Sequence, residues 1–366
     1  MANFLSKILP AKLFSKKGNS VLGIDISSSS IKLVQLRKQR GKAVLETYGE
    51  LSLGPYTGIG EGSATNLPAD KIGQALKDLI IEAKVTTKNA GASLPLSASL
   101  ISVLALPNVS EKEIENIVPI EMRKYLPVSI AEVALDWWVI PEENSVIKRE
   151  ESNKIEVLTV AVHKDTILKY QKILSQANLD PTFFEVEIFS SMRAILSPSL
   201  NPMMIVDIGS ANSKIYIVER GIVRDSHIIN RGAQDITRSI STSLGVSLPR
   251  AESIKRGAYS SEDEKGKVLE VASLILEDIF SEANLALLNY EKKYNKTAEK
   301  TILTGGGAMM FGVKENAEKV FDMNVEIAHP FGKTETPAFL SDILKNAGPE
   351  FAVAIGLALR KLEEVD

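Results

Sequence analysis

One pattern is written twice in this chain, and it limits the fold more than any other feature. Val21–Val34 and Met203–Tyr216, aligned on Asp25 and Asp207, share Asp-Ile-x-Ser-x-x-x-Lys followed by an aliphatic residue. Each copy reads as a buried strand, a tight turn of small residues and a second strand. Two such hairpins, far apart in the chain, predict two lobes with one copy in each. The length of 366 residues agrees, since it exceeds the ~100–200 residues of a usual domain.

Between and after the hairpins, strands alternate with helices. Helical spacing covers Asp70–Lys84 through Ile72, Leu76, Leu79 and Ala83. Ile101–Leu106, Val133–Ile140 and Ile155–Val162 read as strands. Ser110-x-x-Glu113 is a capping box opening a helix that turns Ile114, Ile117 and Val118 inward and ends before Pro127. A further helix covers about Asp165–Ala177, and the block 101–178 reads as an insertion into the first lobe. The polar stretch Glu142–Lys154 is a surface loop. In the second lobe, helices at about Ala233–Leu244, Pro249–Gly257 and Lys267–Tyr294 precede a strand, Lys300–Leu303, that runs into Gly305-Gly306-Gly307. The last helix, about Pro349–Glu363, carries Ala352, Ala354, Gly356 and Ala358, small enough to pack closely on the first lobe.

Composition removes several chemistries. Lys+Arg 43 against Asp+Glu 46 gives a net charge of −3, which argues against broad nucleic-acid binding, because replacing phosphate counterions needs a positive field. Cysteine is absent, so disulfides, thiolate nucleophiles and Cys-ligated metals are excluded. His163, His227 and His329 are too scattered for a metal site. No apolar run approaches the ~20 residues of a membrane-spanning helix, so the interior of the cell is the expected compartment. Residues 1–19 are basic and apolar, but Lys7 and Pro10 interrupt the stretch, which is not a secretory signal. It reads either as an amphipathic segment touching anionic lipid or a partner, or, preferred here, as a frayed leader. Trp137 and Trp138 face opposite ways if they lie on a strand; core plus edge packing is the plain expectation, a partner-facing aromatic the alternative.

The small-residue turns point to phosphate. A polyphosphate needs backbone N–H donors that approach closely, which requires tiny side chains. Ser27–Ser30 and Gly209–Ser213 meet that need, each after a strand ending in Asp. Asp25 and Asp207 repel phosphate directly but can hold Mg²⁺ through its waters. Gly305, Gly306 and Gly307 would let the backbone lie flat against a nucleoside.

The ordered trio Gly23-x-Asp25-x-Ser27, Asp207-x-Gly209 and Gly305-Gly306-Gly307 resembles the phosphate-1, phosphate-2 and adenosine motifs of the actin/Hsp70/sugar-kinase ATPases. Within them the chain most resembles the PilM family of type IV pilus assembly and its relative FtsA. The likeness extends through Leu94-Pro95, Leu106-Pro107, Arg231-Gly232-Ala233, Ala251-Glu252 and Phe351–Arg360. The resemblance implies an α/β, two-lobed actin-like ATPase fold of duplicated ribonuclease-H-like domains with an inserted 1C (SHS2-like) subdomain. Its parts would be 1A (20–100, 179–201 and 346–366), 1C (101–178), 2A (202–248 and 300–345) and 2B (249–299). ATP with Mg²⁺ is the implied cofactor. Ser28, Ser29 and Ser30 would donate to the β- and γ-phosphates, and Gly209, Ser210, Ala211 and Asn212 would line the opposite side. Lys32 matches a phosphate-contacting lysine of actin, or is a solvated strand residue. Glu252 and Lys255 match ribose and adenine contacts, or form a surface ion pair. Glu187 falls where relatives position the attacking water, although Ile188 follows where many have Pro. Ser27 stands where the family usually has Gly, so a positive φ there would be strained, or its hydroxyl takes over a contact.

The resemblance implies a cytoplasmic scaffold, peripheral to the inner membrane, with slow or absent hydrolysis. It would dock the N-terminal tail of a PilN-like membrane protein between 1A and 1C, and link it to the assembly ATPase and platform protein; homo-oligomers are left open. An FtsA-like membrane filament is the alternative, disfavoured by the acidic stop Leu362–Asp366. A small-molecule kinase comes third, since no acceptor-activating Asp loop is evident.

Overall fold

The computed structural model describes residues 20–146 and 153–363. The basic N-terminal segment, residues 147–152 of the charged loop and the last three residues lie outside the described residues.

The chain opens with an antiparallel meander, β1 (Ser20–Ile26), β2 (Ser30–Gln39) and β3 (Lys42–Ser52). A loop leads to α1 (Ala69–Glu82) and β4 (Asn89–Leu94). The inserted unit follows: β5 (Ser99–Pro107), α2 (Glu111–Met122), β6 (Val133–Val139) and β7 (Lys154–His163). At the head of α2 the Glu113 side chain of the expected capping box accepts the Ser110 N–H at 2.9 Å and the Ser110 hydroxyl at 2.7 Å, giving one end donor its acceptor. Then come α3 (Lys164–Gln176), β8 (Asp180–Val186) and α4 (Glu187–Ile195).

The second lobe repeats the plan with β9 (Met203–Ile208), β10 (Ser213–Glu219) and β11 (Ile222–Ile229). Helices α5 (Ala233–Leu244), α6 (Leu248–Lys255) and α7 (Glu262–Tyr294) separate these from β12 (Thr301–Thr304). The chain closes with α8 (Val313–Phe321), β13 (Val325–Ile327), α9 (Ser341–Ala347) and α10 (Ala352–Glu363).

The strand orders are β3-β2-β1-β4-β8, β11-β10-β9-β12-β13 and, in the insertion, β5-β7-β6. The two large sheets share one topology, three antiparallel strands followed by two parallel ones. The repeat therefore survives in register: Asp25 pairs with Lys32 across β1–β2, and Lys214 with Asp207 across β9–β10. Helix α3 packs on α1 and sends Ile167, Ile173 and Leu174 into the first lobe's core. Trp137 and Trp138 are each half-buried and pack on different cores, Trp137 with the α2 side of the inserted sheet and Trp138 with the first lobe.

The last helix is buried along almost its whole length, as expected of a helix placed inside a core. A Cβ at Gly23 would overlap the Ala354 carbonyl, and one at Gly356 would overlap that of Ser190. Missing side chains thus let α10 touch both β1 and α4, which fixes the floor beneath the first hairpin. Among the described residues no helix is long and apolar enough to cross a membrane.

Candidate functional site

Both repeated hairpins open onto one cleft between the lobes. It encloses about 270 Å³, and Asp25, Asp207, Ser27, Ser29, Gly209, Ser210 and Gly305–Gly307 all line it. Lys32, Glu187, Glu252 and Lys255 line it as well. Ser28, Ala211 and Asn212 instead line an adjoining cavity behind the turns, which shares Glu187 and Lys214 with the cleft. Ser30 lines neither: its N–H is taken by Ser27 Oγ at 3.2 Å and its hydroxyl accepts Lys32 Nζ at 2.7 Å.

The first turn closes through a serine. Ser27 N–H and Oγ–H both donate to the Ser30 carbonyl, at 3.0 and 2.9 Å, and Ser27 is not among the described non-glycine residues with positive φ. The strain expected at Ser27 is therefore absent, and its hydroxyl supplies the extra contact. In the twin turn Gly209 N–H donates to Asn212 O at 3.1 Å. A loop of the first lobe spans both hairpins: Thr65 N–H donates to Ser28 O of the first at 2.8 Å, and Ser210 Oγ of the second donates to Gly62 O at 2.7 Å.

The floor at the third motif is shaped by one glycine. Gly305 has φ 82° and ψ 168°, a region essentially reserved for glycine, and a Cβ there would overlap Asp207 Oδ1. Asp25 Oδ1 accepts from Ser93 Oγ at 2.7 Å. Burial pushes the Asp25 carboxyl above its ordinary value, with Asp207 adding to the rise against the pull of Lys32 and Lys214.

Six carboxylates, those of Asp25, Glu50, Glu187, Asp207, Glu252 and Glu350, face four cations, Lys32, Lys214, Lys255 and Arg256. Lys32 is held by Glu50 at 2.9 Å; burial opposes its charge, but Glu50, Glu350 and Asp25 outweigh this and raise its pKa. Lys214 sits 2.6 Å from Glu187 Oε2 and 3.4 Å from Asp207 Oδ2. Burial again opposes the charge, and the two carboxylates overcome it, holding the ammonium well above its ordinary value. Glu252 and Lys255 form a buried pair at 2.7 Å, joined by Thr237 and Arg256, and not an exposed one. Burial depresses the Lys255 ammonium despite this partner.

Lys214 is the residue that motif reading passed over, although the repeat itself aligns it with Lys32. Glu50, Glu350 and Arg256 carry no motif; they come from β3, from the turn before α10 and from the end of α6, and only folding gathers them.

The family model described as "Type IV pilus assembly protein PilM" matches residues 23–362. The chain belongs to the PilM family. Cell division protein FtsA of Neisseria meningitidis serogroup B (strain ATCC BAA-335 / MC58) is 26% identical over 357 residues, covering 86% of this chain and 84% of that protein. FtsA of Bacillus subtilis (strain 168) is 27% identical over 146 residues, covering 34% of this chain and 33% of that protein. Among solved structures, a PilM–PilN type IV pilus biogenesis complex has a TM-score of 0.78 at 23% identity, covering 93% of this chain and 98% of that one. MreB 5 of Spiroplasma citri bound to AMPPNP has a TM-score of 0.50 at 12% identity, covering 96% of this chain and 97% of that one. The fold is the two-lobed actin-like ATPase fold, with the three-stranded unit inserted in its first lobe.

Proposed function

We propose that the chain binds ATP with Mg²⁺ in this cleft and acts as a cytoplasmic adaptor of a type IV pilus machine at the inner membrane. It would hold the N-terminal tail of a PilN-like membrane protein and pass its state to the assembly ATPase and platform protein. The observation that carries the reading is the convergence of Asp25 and Asp207, from the two copies of one hairpin, on a single cleft of a PilM-family chain.

The donor set suits a hydrated cation beside phosphate. Among the described residues no group of three or more His, Asp or Glu is arranged to hold a metal by itself, while the cleft carries more carboxylates than cations. Bound Mg²⁺ supplies the positive charge that a polyphosphate needs next to these carboxylates. Asp25 and Asp207 would hold it through its waters. Ser29 and Ser210 would present backbone N–H groups to the phosphates, while Ser27 and Gly209, whose N–H groups close the turns, and Ser28, Ser30, Ala211 and Asn212 support them. Gly305–Gly307 would lie along the nucleoside, and Glu252 and Lys255 would face its sugar and base. A general base must reach the proton that it removes, yet both oxygens of Glu187 are already engaged, by Lys214 and by Leu96 N–H. Hydrolysis would be slow or absent, as suits a scaffold. The four-part division read from the sequence, with 101–178 as the docking subdomain, belongs to this proposal.

The similar structure in complex with PilN supports the choice of partner. A peptide from the cytoplasmic N-terminal tail of a PilN-like membrane protein should release or absorb heat on titration; no heat with that peptide, with or without ATP, would overturn the adaptor reading. FtsA relatives that match most of the chain favour a membrane filament as the second reading, and ATP-dependent pelleting with anionic vesicles in the absence of any partner would decide for it.

A further inference from the structure

Glu187 heads α4, and its two carboxylate oxygens are committed to different parts of the molecule. Oε2 lies 2.6 Å from Lys214 Nζ, on the second-lobe hairpin. Oε1 accepts the Leu96 N–H at 2.7 Å. Leu96 begins the one-turn 3-10 segment Leu96–Ala98, which runs directly into Ser99, the first residue of β5 and of the inserted sheet. The Glu187 side chain is buried between the cleft and the cavity behind it.

Lys214 lies among the groups that line the cleft, 3.4 Å from Asp207 Oδ2. Its twin Lys32 is placed otherwise, against Ser30 Oγ and Glu50. Of the two lysines in the repeat, then, only Lys214 is shared between the aspartate of the second hairpin and a carboxylate that grips the start of the inserted unit.

We propose that Lys214, Glu187 and Leu96 form a relay that reports a nucleotide phosphate in the cleft to the inserted three-stranded unit. The proposal rests on the nucleotide reading above. A phosphate carries more negative charge than one carboxylate, and Coulomb attraction in a poorly solvated site scales with that charge. Lys214 therefore turns towards the phosphate and away from Glu187. Released on one side, the Glu187 carboxylate is no longer pinned in one rotamer and holds the Leu96 N–H less firmly, which loosens the turn from which β5 departs. Glu187 is in this account a positioning residue, acting through Leu96. Linkage makes the effect reciprocal: a partner that fixes the Leu96 turn changes the affinity for the phosphate-bearing ligand by the same factor.

Hydrogen exchange on the full chain tests this, read in peptides spanning residues 95–104, with the ATP-induced rise in melting temperature measured in parallel. Saturating ATP with Mg²⁺ should speed exchange at the Leu96 amide by roughly tenfold, the factor that goes with loss of one such hydrogen bond. Without nucleotide, Glu187→Gln and Lys214→Met should each exchange there as fast as ATP-bound wild type, because each cuts the same arm. A wild-type chain that melts higher with ATP while exchange at 95–104 stays unchanged would overturn the relay and leave the nucleotide reading standing. So would nucleotide-free variants that exchange like nucleotide-free wild type. A wild-type chain whose melting temperature ignores ATP would remove the nucleotide reading itself, and the relay with it.

Discussion

Asp25 and Asp207 end their strands at equivalent points of two repeated hairpins, and each is fixed by close neighbours rather than by solvent. Ser93 holds Asp25. Lys214 and the bare backbone of Gly305 confine Asp207. The tolerance at Gly305 is small, because its dihedral angles exclude a side chain and a Cβ would overlap the Asp207 carboxylate. Gly305→Ala should cost about 1–3 kcal/mol in stability, the usual penalty for such a backbone, and should also abolish the ATP-induced rise in melting temperature. Thermal unfolding with and without ATP checks both effects; a variant as stable and as responsive as wild type would show that the glycine is not needed there. The twin turns show how residue chemistry can differ while geometry persists, since Ser27 uses its hydroxyl where Gly209 relies on its backbone.

At the scale of elements, the base of the site depends on how α10 is anchored. Glu185, on β8, receives Arg193 of α4 through both terminal guanidinium nitrogens, at 2.7 and 2.9 Å, and Arg360 of α10 at 3.0 Å, with Ser190 Oγ completing the set. Arg360 also stacks over the Phe183 ring at 4.5 Å. Burial works against the Glu185 charge, but the two arginines prevail and hold it below its ordinary value of 4.5. A carboxyl depressed in this way contributes stability that is present above its ordinary value and lost as pH falls through the lower, folded one. Glu185→Gln should therefore destabilise by about 3–5 kcal/mol near neutral pH, where it removes the buried carboxylate charge that faces two buried arginines. The gap from wild type should narrow as pH falls below about 4.5. Melting temperature against pH for both proteins gives the comparison, and a gap independent of pH would deny the network this role. Much at this scale is legible in the sequence. The 3.6-residue spacing of Ile72–Leu79, the Ser110–Glu113 cap and the small-residue face of the last helix each mark an element that forms. The Glu185 network is not legible, because its members come from three elements and satisfy one another only after the lobe has closed. Nor is the seat of α3 on α1, since an apolar helical stripe does not name the surface that it covers.

At the scale of the whole molecule, two lobes and an inserted unit meet around the cleft through specific polar contacts. Arg224 of β11 pairs with the buried Glu156 of β7 at 2.9 Å and donates to Asn144 O at 2.6 Å, joining the second lobe to the insertion. Tyr216 of β10 donates to Ser191 of α4 at 2.8 Å, on the wall shared with Glu187. The duplication could be read from the sequence because each copy keeps its aspartate, its small turn and its lysine in one register. What the lysines do could not, since Lys32 and Lys214 occupy matching positions but face different carboxylates. The central claim is that the two copies together make one nucleotide site. Calorimetric titration of ATP with Mg²⁺ into wild type, Asp25→Ala and Asp207→Ala tests it most directly. Saturable binding to wild type that weakens by at least tenfold in each single variant is the expected result. Wild-type affinity retained in either variant, or no binding to the wild-type chain, would contradict it.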